Sequence, residues 1–162
     1  MAISDYLRSL RARIGHDLVL LPSVAVMIRD EKGRLLLVRN AQDGLWQTVG
    51  GGMDPGEEPA DAALREAFEE TGLRVELGRV IGVYGGPDFE LTYPNGDVVA
   101  YVGIAFAATV TGGAERPCED EVDRLGWFER AEALALKEVV ADLTLENRLL
   151  KKNTTGAGGE HE

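Results

Sequence analysis

Gly51-Gly52-Met53-Asp54-Pro55-Gly56-Glu57-Glu58-Pro59-Ala60-Asp61-Ala62-Ala63-Leu64-Arg65-Glu66-Ala67-Phe68-Glu69-Glu70-Thr71-Gly72-Leu73 is the stretch on which the reading of this chain turns. Glycine and proline make residues 50–56 a loop by composition. Pro59 suits a first helical turn and Gly72 the residue just past the end, so the spacing predicts a helix over Pro59–Thr71. On a helical wheel with Glu66 at zero, Glu70 falls at about 40° and Glu69 at about 300°, so three carboxylates share an arc of about 100°. Ala60, Ala63, Leu64, Ala67, Phe68 and Thr71 are expected on the opposite, packed side, with Phe68 a large part of the contact.

Three like charges at spacings of three and four repel one another. No Lys or Arg within the helix stands four residues beyond them: position 73 is Leu73, and Arg74, four beyond Glu70, follows the helix stop. Alone, the pattern also fits a solvated acidic face. The preceding loop weighs against that. Gly51, four residues, then Gly56 copies the glycine spacing of a phosphate-cradling loop, but Glu57 and Glu58 stand where Lys and Ser/Thr would meet the phosphates. With that inversion of sign, the loop can approach a polyphosphate only through divalent cations, and clustered hard oxygen ligands suit Mg²⁺ or Mn²⁺.

Gly51, five residues, Glu57, seven residues, then Arg65-Glu66-Ala67-Phe68-Glu69-Glu70-Thr71-Gly72-Leu73 resembles the complete signature of the Nudix hydrolases. The strand expected at Leu18–Ile28, Trp46 just ahead of the box, and Leu125-Gly126-Trp127-Phe128 extend the resemblance over most of the chain. It implies an α/β/α sandwich around a mixed sheet and hydrolysis of the pyrophosphate linkage of a nucleoside diphosphate derivative. ADP-ribose or another nucleotide sugar, a nucleoside triphosphate and a dinucleoside polyphosphate are the substrate classes it leaves open. By the same resemblance Glu66, Glu69 and Glu70 are metal ligands, with the Gly51 carbonyl a further one, and Arg65 and Glu57 support them. Glu121, in the acidic run Glu119-Asp120-Glu121-Val122-Asp123, is the candidate for a loop carboxylate that completes the site; a solvated loop is the competing reading. Relatives often carry Leu-Pro before the glycines, where this chain has Thr48-Val49, which implies a less restricted approach to the loop.

Outward from the box, Tyr6 to Ile14 reads as a short amphipathic helix stopped by Gly15, with Arg8, Arg11 and Arg13 on a solvated face. Leu18 to Ile28 reads as a buried strand, and Asp30-Glu31-Lys32-Gly33 turns it into a second over Arg34 to Arg39. Arg74–Tyr84 and Asp97–Val110 read as long strands, Leu125–Phe128 as a short one, and Ala131–Leu150 as one or two C-terminal helices. The expectation is a single α/β domain over residues 1–150, with a mobile tail over 151–162. Tyr84, Phe89 and Tyr93 are assigned to local packing, with stacking on a base as the other use of such rings.

Composition bounds the rest. The chain has 162 residues, with 17 Lys+Arg against 28 Asp+Glu and a formal net charge of -11. So acidic a surface repels phosphate backbones, which argues against nucleic acid and anionic membranes as partners and for a small nucleotide. A homodimer is left open. The lone Cys118 gives no disulfide framework and fits a cytoplasmic setting; His16 and His161, the only histidines, do not make a zinc site or a triad. A non-catalytic nucleotide-binding module on the same fold is the alternative function, and loss of box carboxylates, its expected mark, is absent here.

Overall fold

The computed structural model describes residues 4–118 and 120–136. The expected helix beyond residue 136 and the 151–162 tail lie outside the described residues. The elements run α1 (Asp5–Ile14), β1 (Val19–Arg29), β2 (Leu35–Asn40), β3 (Trp46–Gln47), β4 (Val49–Gly52), α2 (Pro59–Thr71), β5 (Leu73–Tyr84), a short 3₁₀ turn (Pro87–Phe89), β6 (Glu90–Thr92), β7 (Val98–Gly113), β8 (Val122–Phe128) and α3 (Arg130–Ala135).

These strands make one mixed sheet. Its path is β3-β2-β1-β7-β5, with β4 on β1, β6 on β7 and β8 on β2. β1 and β7 run parallel over eleven paired residues, Val19↔Val99 to Arg29↔Thr109, whereas the other pairs are antiparallel. The apolar run Val24-Ala25-Val26-Met27-Ile28 has no polar alternation because both of its faces are covered. On one face Val24, Val26, Ile28, Leu36, Val38 and Val49 meet Ala62, Ala63 and Ala67 of α2. On the other, Ala25, Met27, Leu35 and Leu37 meet Phe89 and Ala133 of α3. The result is the α/β/α layering expected from the resemblance.

Three expectations are corrected. The glycine-rich loop is shorter than its composition suggests, because Val49–Gly52 forms β4 and pairs with Ser23–Val26 of β1. Val49 is fully buried, so strand pairing fixes the approach to the loop where proline is lacking. The basic face of α1 is not wholly solvated: the Arg11 side chain is only 10% exposed. Its guanidinium donates to the Val98 carbonyl at 2.9 Å and to that of Asp17 at 2.6 Å, while His16 Nδ1 lies 2.7 Å from Asp97 Oδ1. Leu7, Leu10 and Ile14 pack against Val19, Leu21 and Val99 beside these contacts.

The third correction concerns which face of α2 is packed. Ala62, Ala63, Glu66, Ala67, Glu70 and Thr71 are buried, whereas Leu64 and Phe68 are 41% and 47% exposed. Three alanines let the helix lie close to the sheet, so the short side chains face inward and the large apolar ones lie to the side. Phe68→Ala should therefore cost about 1 kcal/mol or less in chemical denaturation, as an open site relaxes without a cavity. A loss of about 3 kcal/mol or more would show that Phe68 is packed after all.

Candidate active site

The box folds as a strand, a loop and a helix that return on each other. Gly50 lies at φ 150°, and a Cβ there would overlap the Val24 carbonyl of β1. At Gly51 a Cβ would stand 2.5 Å from Glu66 Oε1 and 2.7 Å from its carboxyl carbon. Successive glycines are needed because β4 is squeezed between β1 on one side and the α2 carboxylates on the other. α2 begins with Pro59 at its first position and ends on Gly72 in the left-handed conformation, φ 71°, whose N–H bonds the Phe68 carbonyl. Thr71 Oγ1 completes that end by donating to the Ala67 carbonyl and accepting from the Leu73 N–H.

Arg65 is the hub of the charged groups. Its Nε donates to Glu57 Oε1 at 2.7 Å and one terminal nitrogen to Glu57 Oε2 at 2.9 Å, a bidentate pair between loop and helix. That nitrogen also reaches the Gly52 carbonyl at 3.1 Å, while the other donates to Glu66 Oε1 at 2.8 Å and Glu69 Oε2 at 3.2 Å. The compensating cation that the spacing lacks beyond the acidic arc thus stands before it.

The carboxylates do not form a solvated face. Glu66 is 8% exposed and Glu70 4%, while the Glu69 side chain, at 57%, reaches solvent. Burial pushes the Glu66 carboxyl above the usual glutamate range, against the opposing pull of Arg65. Burial pushes Glu70 higher still; its carboxylate accepts from the Gly50 N–H at 3.0 Å, and the charges of Glu66 and Glu121 add to the shift. Glu57 is held below the usual range by its Arg65 hydrogen bonds. Ionising both members of this buried acidic pair is costly unless positive charge is supplied beside them.

A pH dependence follows with a definite sign. The folded carboxyl of Glu70 holds its proton more tightly than the unfolded one. Its contribution to stability is full below the unfolded glutamate range and is lost as pH rises through the raised folded value. In chelator, the stability gained by Glu70→Gln over the parent should thus be larger at about pH 8 than at about pH 5. Denaturant titrations at both pH values check this, and an equal gain at each would show that Glu70 is not strained by ionisation.

Glu121 enters from the junction of the β7–β8 connection with β8. Its carbonyl accepts from the Ala41 N–H at 2.8 Å, and its charge acts on both Glu66 and Glu70. The box carboxylates, Arg65, Glu57, Gly51 and Glu121 therefore share one region. The hard oxygen donors there fit a divalent cation, although among the described residues no three acidic or histidine groups already form a cage. The backbone groups of Gly50 and Gly52 were not read as participants; the run of three glycines was the available signal.

Of the other aromatic candidates, Phe89 and Tyr84 are packed, whereas Tyr93 is exposed. Phe89 is buried with its ring 6.3 Å from Tyr84, and the Tyr93 and Tyr101 hydroxyls lie 2.7 Å apart. Trp46 meets Phe128 edge-on at 4.9 Å. A cavity of about 450 Å³ beside Arg29, Arg34, Glu115 and Trp127 meets the box only at Leu73, its last residue, and is lined by none of the box carboxylates.

The chain matches the NUDIX domain model over residues 19–147. It is similar to a MutT-like protein of Streptomyces ambofaciens, 36% identical over 106 residues that make up 65% of this chain and 62% of that protein. A putative 8-oxo-dGTP diphosphatase of Bacillus subtilis (strain 168) is 43% identical over 65 residues, 40% of this chain and 44% of the relative. The chain thus spans less than two thirds of the length of these curated relatives. The MutT protein of Methanosarcina mazei Go1, a solved structure, superposes with a TM-score of 0.71 at 26% identity, covering 85% of this chain and 97% of that one.

Proposed function

The chain belongs to the NUDIX domain family, and on that premise we propose that it is a hydrolase that cleaves the P–O–P bond of a soluble nucleoside diphosphate derivative with the help of Mg²⁺ or Mn²⁺. The observation that carries this reading is the burial of Glu66 and Glu70 beside Gly50 and Gly51, with Arg65 the cation in contact with Glu66. An acidic patch retained only for solubility has no reason to be buried at that electrostatic cost.

Glu66, Glu69 and Glu70 would hold the metal, with the Gly51 carbonyl and Glu121 as further ligands. When bound, it would neutralise the phosphates, lower the pKa of a coordinated water and stabilise the leaving phosphate. Arg65 keeps the α2 carboxylates in place and leaves Glu70, which has no arginine contact among the described residues, the most responsive to added positive charge. Glu57 ties Arg65 to the loop, so the loop and helix hold one geometry. The buried Thr48 and Val49 anchor β4 beneath this assembly.

The substrate is a small nucleotide, because a chain of net charge -11 repels a phosphate polymer. Similarity to a putative 8-oxo-dGTP diphosphatase supports a nucleoside triphosphate, and ADP-ribose or another nucleotide sugar is its competitor. A panel of both classes and a dinucleoside polyphosphate, assayed with Mg²⁺ and with Mn²⁺ by phosphate release after a coupled phosphatase, tests the reading. Cleavage of at least one class, abolished by chelator, is expected. No cleavage of any class would overturn it.

A further inference from the structure

We propose that the Arg39–Asp123 ion pair is a positioning element that holds Glu121 against the α2 carboxylates; this rests on the metal-site reading above. Arg39 is at the end of β2 and Asp123 near the start of β8. Arg39 Nε donates to Asp123 Oδ1 at 2.8 Å and a terminal nitrogen to Oδ2 at 2.5 Å.

The pair sits at a break in strand register. β2 and β8 pair as Arg39↔Arg124, and then the next residue of β2, Asn40, pairs with Val122. Asp123 is the extra residue, so a β-bulge lies there. Val122 is fully buried while Asp123 and Arg124 are both exposed, a departure from alternation that a bulge creates. The inserted residue also has an electrostatic purpose. Arg39 and Arg124 stand directly opposite, an arrangement that like charges disfavour. The Asp123 carboxylate interacts with both, and its hydrogen bonds from Arg39 hold it below the usual aspartate range.

The bulge fixes where residue 121 leaves the strand. Directly before it, the Glu121 carbonyl accepts from the Ala41 N–H at 2.8 Å, and the Glu121 and Val122 N–H groups both donate to the Cys118 carbonyl at 3.0 and 2.7 Å. Glu66, Glu70 and Glu121 carry like charge, and the contacts that hold this stretch of backbone come from outside the site. Arg39–Asp123 supplies one that touches none of the three carboxylates.

The pair is partly exposed, 29% and 37% for the two side chains, so it contributes little to global stability and its effect should be local. The test uses the full chain with Arg39→Gln, Asp123→Asn, the charge-reversed double variant Arg39→Asp/Asp123→Arg, and Arg34→Gln as control. Arg34 makes a comparable pair with Asp30 at the other end of β2. Two quantities are read: amide hydrogen exchange at Ala41, and affinity for Mn²⁺ alone by calorimetry. Both single variants should speed Ala41 exchange at least tenfold and weaken Mn²⁺ binding about tenfold, the size expected for loss of an outer partner of a metal site. The double variant should recover both, and Arg34→Gln should change neither. Unchanged Ala41 exchange in the single variants overturns the proposal, as does faster exchange with wild-type Mn²⁺ affinity. If the wild type binds no Mn²⁺, the metal-site reading falls and the proposal with it. Failure of the pair alone is seen as equal affinity in a wild type that does bind.

Discussion

Glu70→Gln should lower turnover of the best substrate by roughly 10²–10³-fold or more while leaving the metal-free protein at least as stable as its parent. The two halves of this result have one origin. Glu70 is 4% exposed, and burial drives its carboxyl well above the usual range. Replacing it with the neutral amide removes the cost of an ionised buried group. The amide oxygen can still accept the Gly50 N–H, so β4 and α2 remain joined. What is lost is a negative charge available to a divalent cation and, through it, to the transition state. Rates measured across a Mg²⁺ titration, beside denaturant titrations in chelator, check both halves. An unchanged rate at subsaturating metal would remove Glu70 from the site.

Gly51→Ala is the second large effect, and it acts through shape. The new methyl would stand 2.5 Å from Glu66 Oε1, closer than any real Cβ contact, so the carboxylate must move. It cannot move inward, because Ala62, Ala63 and Ala67 already lie flush on the sheet. It must swing outward, away from Glu70 and out of its 2.8 Å contact with Arg65. The backbone of Gly51 is not in the left-handed region, so the variant should fold. Metal affinity and kcat/KM are expected to fall by about 10–100-fold, as when a group supporting a metal ligand is lost. The comparison variant Gly52→Ala, where a Cβ meets nothing within 4 Å, should be close to wild type. Equal activity of both alanine variants would show that the Glu66 position does not matter.

The bounds of α2 were legible because Pro59 and Gly72 each carry a backbone reason for their place. Its orientation was not. Grouping Leu64 and Phe68 with the alanines treats every apolar residue as core, whereas the helix sits on the sheet through its smallest side chains and two acids. A wheel ranks hydrophobicity, and at a functional site polar groups are buried for reasons that a wheel does not contain. The β1–β2 hairpin and the long β5 and β7 strands followed from their apolar runs, while two-residue β3 and the glycine strand β4 carry too little side chain to signal pairing. The role of residues 39 and 123 lies further from local pattern. They are 84 positions apart, and only the register break between β2 and β8 brings the aspartate between two arginines.

The central claim is that the buried face of α2 is a divalent-cation site. Crystals soaked in Mn²⁺ and measured for anomalous scattering test it directly. The account predicts a difference peak about 2.1 Å from carboxylate oxygens of Glu66 and Glu70, with Glu69 turned in from solvent. Anomalous peaks confined to other acidic surfaces, with Glu66 still on Arg65 and Glu70 still on the Gly50 N–H, would contradict it.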